Sequence, residues 1–134
     1  MSTVYGVSIE PHQILPLWKY NTSNWPFCRY AFDISYYHEQ PFLVNRRVFA
    51  MTEAGIPDGI KVDMYGNVYS GCGDGIHVWS PGGVLLGKVL IPGGVSNFCF
   101  GKMGEIFALN ETRLWKVTFD NLPLSLPLVG TSEL

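Results

Sequence analysis

Charge is scarce in this chain. Charged residues make up 15% of its 134 positions, against about 25% in an ordinary soluble domain. The 9 basic residues are scattered, with Arg46–Arg47 the only adjacent pair. No basic stripe marks a nucleic-acid surface. No apolar run approaches the ~18 residues of a bilayer-spanning helix, so neither nucleic acid nor a membrane is expected as a partner. Met1 to Gln13 lacks a basic segment followed by an apolar one. No signal peptide is therefore read, and the compartment defaults to the cytoplasm. Cysteine is limited to Cys28, Cys72 and Cys99, an odd number with no CxxC pair. That argues against a disulfide framework and against zinc, which wants closely spaced ligand pairs. Three small buried hydrophobes are expected instead.

Turn formers are abundant. The 15 glycines and 9 prolines together make about 18% of the chain, against a background near 12%. Hydrophobic residues are 47% and aromatics 14%, enough to build a core and too much for disorder. This composition excludes a helical bundle and points to a turn-dense all-β fold.

From Pro57 onward, short strand-like runs alternate with strong turn signals. Ile60–Val62, Val68–Ser70, Ile76–Trp79 and Val84–Ile91 are separated by Asp63–Asn67, Gly73–Gly75 and Ser80–Gly83. The pattern restarts at Phe98–Phe100, Ile106–Leu109 and Leu114–Val117. Gly66 matches Gly104, Val68 matches Ile106 and Tyr69 matches Phe107, each at an offset of 38. Arg47–Ala50 matches Lys88–Ile91 at an offset of 41. A four-stranded unit returning every ~40 residues is the signature of a β-propeller blade. A small β-sandwich built from the same meanders is the rival.

The expected organisation is a single partial propeller domain over residues 1–134, holding about two and a half blades. Residues 3–50 form an incomplete blade, with strands at Thr3–Ile9, Arg29–Ile34 and Val44–Ala50 and a long loop Glu10–Phe27. Residues 57–91 form a complete blade, 95–119 an incomplete one, and 120–134 an irregular tail. Propellers close with typically 4–8 blades. An open piece with little surface charge is expected to self-associate through its uncovered sheet edges.

Several segments together resemble one family. Ile56-Pro57-Asp58-Gly59-Ile60-Lys61-Val62-Asp63 is followed by Gly66-Asn67-Val68-Tyr69, then by Gly75–Gly83 and Val95–Gly101. These resemble the gluconolactonase/regucalcin family of six-bladed propellers. Asn45–Ala50 and Leu109–Trp115 resemble most its fungal lactonohydrolase branch. The resemblance implies a lactone hydrolase with a divalent metal, in many members calcium, at the mouth of the central channel. It implies a Glu, an Asn and the Asp of the Pro-Asp-Gly motif as protein ligands. Only the last has a counterpart here, Asp58; the other two positions would fall before Met1. The alternative is a truncated, non-catalytic propeller piece acting as an interaction module.

Asp58 is thus the candidate catalytic and metal-binding residue. Pro57 restricts φ, and Gly59 lets another group approach the backbone closely. Pro-Asp-Gly is also ordinary turn chemistry. Calcium takes about 6–8 oxygen ligands, so one carboxylate is far short of a site. Asn97, opening the next innermost strand, is a candidate channel-lining residue, with a strand-end hydrogen bond as its other reading. Gly71-Cys72-Gly73-Asp74-Gly75 has no following helix to make it a phosphate loop. His12, His38 and His77 stand in no metal-ligand spacing.

Overall fold

The computed structural model describes residues 3–6, 28–102, 104–119 and 130–133. Eleven β-strands lie among them, and no helix. The chain divides into two compact units, Met1–Met51 and Thr52–Leu134, where the sequence suggested a single domain.

The first unit contains a three-stranded antiparallel sheet in the order β1-β2-β3. Its strands are β1 (Thr3–Gly6), β2 (Cys28–Tyr37) and β3 (Gln40–Met51). The three expected strands are present, but two run longer than their apolar runs indicated. β2 and β3 continue to a two-residue turn at His38 (φ 47°) and Glu39 (φ 64°). Those angles belong to the turn whose twist matches a hairpin. Neither residue is the Asn or Gly that advertises it, so the extension was hidden. Residues 7–27, holding the rest of the expected first strand, the long loop and His12, lie outside the described residues. Two register shifts interrupt the β2–β3 ladder. Beside them Arg47 Nη1 contacts Asp33 Oδ1 at 2.9 Å and Asn45 Nδ2 donates to Asp33 Oδ2 at 3.1 Å. These donors, Asn45 first and then Arg47, hold the Asp33 carboxyl below its usual range.

The second unit holds two four-stranded antiparallel sheets. One is β4 (Ile60–Val62), β5 (Val68–Cys72), β6 (Gly75–Trp79) and β7 (Leu85–Leu90) in sequential order. The other orders β8 (Asn97–Phe100), β9 (Glu105–Leu109), β10 (Leu114–Thr118) and β11 (Gly130–Glu133). The second sheet is therefore complete. Its outer strand comes from the region expected to be an irregular tail. β11 pairs with β10 from Trp115↔Glu133 to Thr118↔Gly130. Gly130-Thr131-Ser132-Glu133 carries no apolar alternation, and the connection before it is much longer than the tight Ser80–Val84 turn between β6 and β7. Nothing local announces it.

The repeat seen in the sequence is exact in the hydrogen-bond register. Ile60 pairs with Ser70 and Lys61 with Tyr69; Phe98 pairs with Ala108 and Cys99 with Phe107. Gly66 and Gly104 take the same positive φ, 83° and 81°, the left-handed turn position that favours glycine. The sheets pack face to face. Tyr69, Ile76, Val78 and Val89 from the first meet Phe98, Ile106, Ala108, Trp115 and Val117 from the second. All of β6 is buried. Consecutive meanders sharing one seam in this way are adjacent propeller blades, and the architecture is an all-β partial propeller.

The first-blade turn carries its own lock. Asp63 Oδ1 accepts from Tyr65 N and Asn67 N at 2.9 Å each, and Oδ2 accepts from Asn67 Nδ2 at 2.9 Å and Tyr69 Oη at 3.2 Å. Burial, and then the Asp63 carboxylate, push the Tyr69 phenol up to about 12. The Asp, Asn and Tyr of the family-like motif thus build a turn here.

Candidate functional site

Pro57 is buried and Asp58 exposed. Asp58 sits two residues ahead of β4, an edge strand of its sheet. Its N–H donates to Gly71 O at 2.9 Å, and Gly71 N–H returns a bond to Gly59 O at 3.0 Å. Asp58 and Gly59 thus both engage Gly71, two residues against one, the pattern of a β-bulge just ahead of the strand's start.

The next blade closes on the same point. Gly59 N–H donates to Ser96 O at 2.7 Å, and Val95 N–H donates to Cys72 O at 2.9 Å. Two glycines make this approach possible. A methyl group on Gly59 would stand 2.6 Å from Asn97 Oδ1, and one on Gly71 would stand 2.3 Å from Val95 O. The Pro-Asp-Gly glycine serves close approach between blades, as its place before a strand suggested.

Asn97 is exposed, and its Oδ1 accepts from Phe98 N at 2.9 Å. Its amide oxygen also faces Gly59. The strand-end hydrogen bond is therefore made, and the side chain lies beside the backbone that follows Asp58.

The remaining acidic and histidine candidates are engaged elsewhere. Asp63 locks its turn. Asp74 stands in the β5–β6 turn, its Oδ1 2.6 Å from His77 Nε2 and its Oδ2 3.6 Å from Lys88 Nζ. Burial pushes the Lys88 ammonium down, but Glu53 and Asp74 outweigh it and hold it above its usual value. His77 is only 1% exposed, and Ser70, its cross-strand partner, is fully buried. The Asp–His–Ser alignment therefore presents no nucleophile to a substrate. His38 lies at the hairpin turn of the first unit, and the Gly71–Gly75 stretch is a strand-to-strand turn. Cys28 and Cys72 are buried as expected, but Cys99 is exposed. It lies on the face of β8 that no further blade covers among the described residues.

Among the described residues no three His, Cys, Asp or Glu side chains group so as to hold a metal ion. One exposed carboxylate does not satisfy a hard cation that takes about 6–8 oxygens. The described donor set does not fit the calcium site that the resemblance implies.

The fold and this strand-end carboxylate define a propeller-type protein with a candidate site at the β4 edge of its sheet. The profile of the SMP-30/gluconolactonase/LRE-like region matches residues 18–107, and the chain belongs to that family. A gluconolactonase of Zymomonas mobilis is 41% identical over 70 residues, which are 51% of this chain and 20% of that protein. Among solved structures, the gluconolactonase XC5397 of Xanthomonas campestris matches with a TM-score of 0.59 and 33% identity. That match covers 67% of this chain and 29% of that one. A further solved structure from a gluconolactonase study matches with a TM-score of 0.58 and 27% identity, over 79% of this chain and 32% of its own. The chain spans about a fifth of the curated relative and about three-tenths of the solved ones.

Proposed function

We propose that this chain is part of a gluconolactonase-like lactone hydrolase, akin in character to the fungal lactonohydrolases, and that Asp58 is its principal catalytic group. The observation that carries the reading is the exposed Asp58, its backbone N–H bound to Gly71 O just ahead of the edge strand β4, in a chain of this family. An ionised Asp58 acts there as a general base. It takes a proton from a water molecule as the water oxygen attacks the lactone carbonyl carbon. The ring C–O bond then breaks, the leaving oxygen takes up a proton, and a hydroxy acid results.

A second reading rests on a specific observation: no cluster of three metal-ligating side chains stands among the described residues. The chain would then be a non-catalytic propeller piece. Its exposed leucines, Leu109 and Leu114 on the open face of the second blade, would favour self-association.

Hydrolysis of glucono-δ-lactone by the purified chain, with and without added calcium, separates the readings. On the first, Asp58→Asn lowers the rate by roughly 10²-fold or more and shifts the melting transition little, since an exposed Asp gives up no packing. A rate that rises with calcium would place additional ligands outside the described residues. No hydrolysis in either condition favours the second reading.

A further inference from the structure

The repeat gives Asp58 a twin that the motif does not name. Asp58 N–H donates to Gly71 O at 2.9 Å, and Ser96 N–H donates to Leu109 O at 2.8 Å. Ser96 follows Asp58, and Leu109 follows Gly71, at the same offset that relates the strand registers. Ser96 therefore holds, ahead of β8, the place that Asp58 holds ahead of β4. Asn97, the residue the sequence singled out, takes the place of Gly59 instead. Ser96 and Asn97 stand against Leu109 as Asp58 and Gly59 stand against Gly71, so the equivalent positions of the two bulges project to the same side of their strands.

The twins are neighbours in space. Gly59 N–H donates to Ser96 O at 2.7 Å. One peptide unit on each side and that hydrogen bond separate the two Cα atoms. Gly59 carries no side chain to part them, and there is no room for one. Asn97 Oδ1, which accepts from the Phe98 N–H at 2.9 Å, lies against Gly59. Asp58 is exposed and Ser96 half-buried, so both reach solvent.

We infer that Ser96 is the second polar side chain of the Asp58 site, a substrate-orienting hydroxyl that hydrogen-bonds an oxygen of a polyhydroxylated lactone or of its hydroxy-acid product. The inference rests on the lactone-hydrolase reading. The chemistry is complementary: an ionised Asp58 only accepts hydrogen bonds, whereas a serine hydroxyl both donates and accepts. Together they satisfy two neighbouring oxygens of a sugar-like ligand, one presenting its proton and the other its lone pair. Ser96 also adds no second negative charge beside the carboxylate that must stay ionised.

The experiment is a titration of the isotope-labelled full chain with D-gluconate, followed by the amide resonances of Gly59, Ser96 and Asn97. These signals should move together and saturate. Ser96→Ala should weaken the apparent affinity about tenfold, within the worth of one hydrogen bond. Ser96→Thr, which keeps the hydroxyl, should restore it to within about threefold. Binding that depends on Asp58 but is unchanged by Ser96→Ala overturns this inference and leaves the lactone-hydrolase reading standing. An equal loss in Ser96→Ala and Ser96→Thr also overturns it, because the effect would then be structural. If gluconate moves none of these resonances in the unaltered chain, the lactone-hydrolase reading falls and the role of Ser96 falls with it.

Discussion

The first three strands of the two blades of the second unit share a register at one constant offset, yet equivalent positions meet different fates. Ile76 and Val78 are 0% and 1% exposed because the second blade covers them, whereas Leu114, the equivalent of Ile76, is 38% exposed. Lys116 stands where Val78 stands, and its Nζ reaches Glu105 Oε1 at 2.6 Å. That ion pair holds the Glu105 carboxyl below its usual range. Gly71 lies under Val95 O, while its equivalent Leu109 is 48% exposed. Asp63, which locks the first-blade turn, becomes Gly101. There Glu105 serves instead, its Oε2 accepting from Lys102 N at 3.3 Å. One backbone plan thus supports a covered face in one blade and an open face in the other. The side chains have adapted to which neighbour is present.

The sharpest way to break this comparison is to substitute matched positions. Gly71→Ala forces a methyl group to within 2.3 Å of the Val95 carbonyl oxygen, a backbone atom that cannot swing aside. We expect a loss of about 2–4 kcal/mol in chemical denaturation. Leu109→Ala, at the equivalent place, should cost about 1 kcal/mol or less, as a half-exposed side chain does. Equal effects would mean that the seam between the blades is not as tight as the geometry states.

Next in size, Ile76→Ala should cost about 2–4 kcal/mol, because it leaves a cavity in a fully buried site. Leu114→Ala should cost about 1 kcal/mol or less, because water already reaches that side chain. The pair is read by calorimetry. A large loss at Leu114 would reveal that its face is covered in solution.

The smallest effect concerns the turn lock that only the first blade has. The Tyr69 phenol is raised to about 12 by burial and by Asp63, so the folded state favours its neutral form. Its contribution is fully present below about pH 10 and is lost as pH rises toward about 12. Allowing for partial exposure, that loss amounts to about 1–2 kcal/mol. Tyr69→Phe should remove this component, so parent and variant should converge in stability across that interval. A gap of constant size throughout it would overturn the assignment.

Much of this organisation was legible in the chain itself. Glycines at 66 and 104 marked turns because they take a backbone angle that other residues resist. Apolar runs between such turns marked strands, and their return in the same order and spacing marked blades. The close approach at Gly59 was legible too, because a glycine follows Pro57 and Asp58 just before a strand. The β2–β3 extension and β11 were not. A hairpin turn made of His38 and Glu39 uses no turn former, and Gly130–Glu133 becomes a strand only by pairing with β10.

Local chemistry therefore specified the turns, the strands and the repeat, since each depends on a few neighbouring residues and their backbone preferences. It left undecided which copy of each repeated position would be covered. Ile76 and Leu114 are both aliphatic β-strand residues, and nothing within either strand distinguishes a buried one from an exposed one. The same holds for the site. Asp58 and Ser96 are a whole blade apart in sequence and have little in common as types. They stand side by side because the Gly59 N–H finds the Ser96 carbonyl across the seam at 2.7 Å. Hydrogen bonds and burial between blades are long-range contacts, and their partners are chosen by packing.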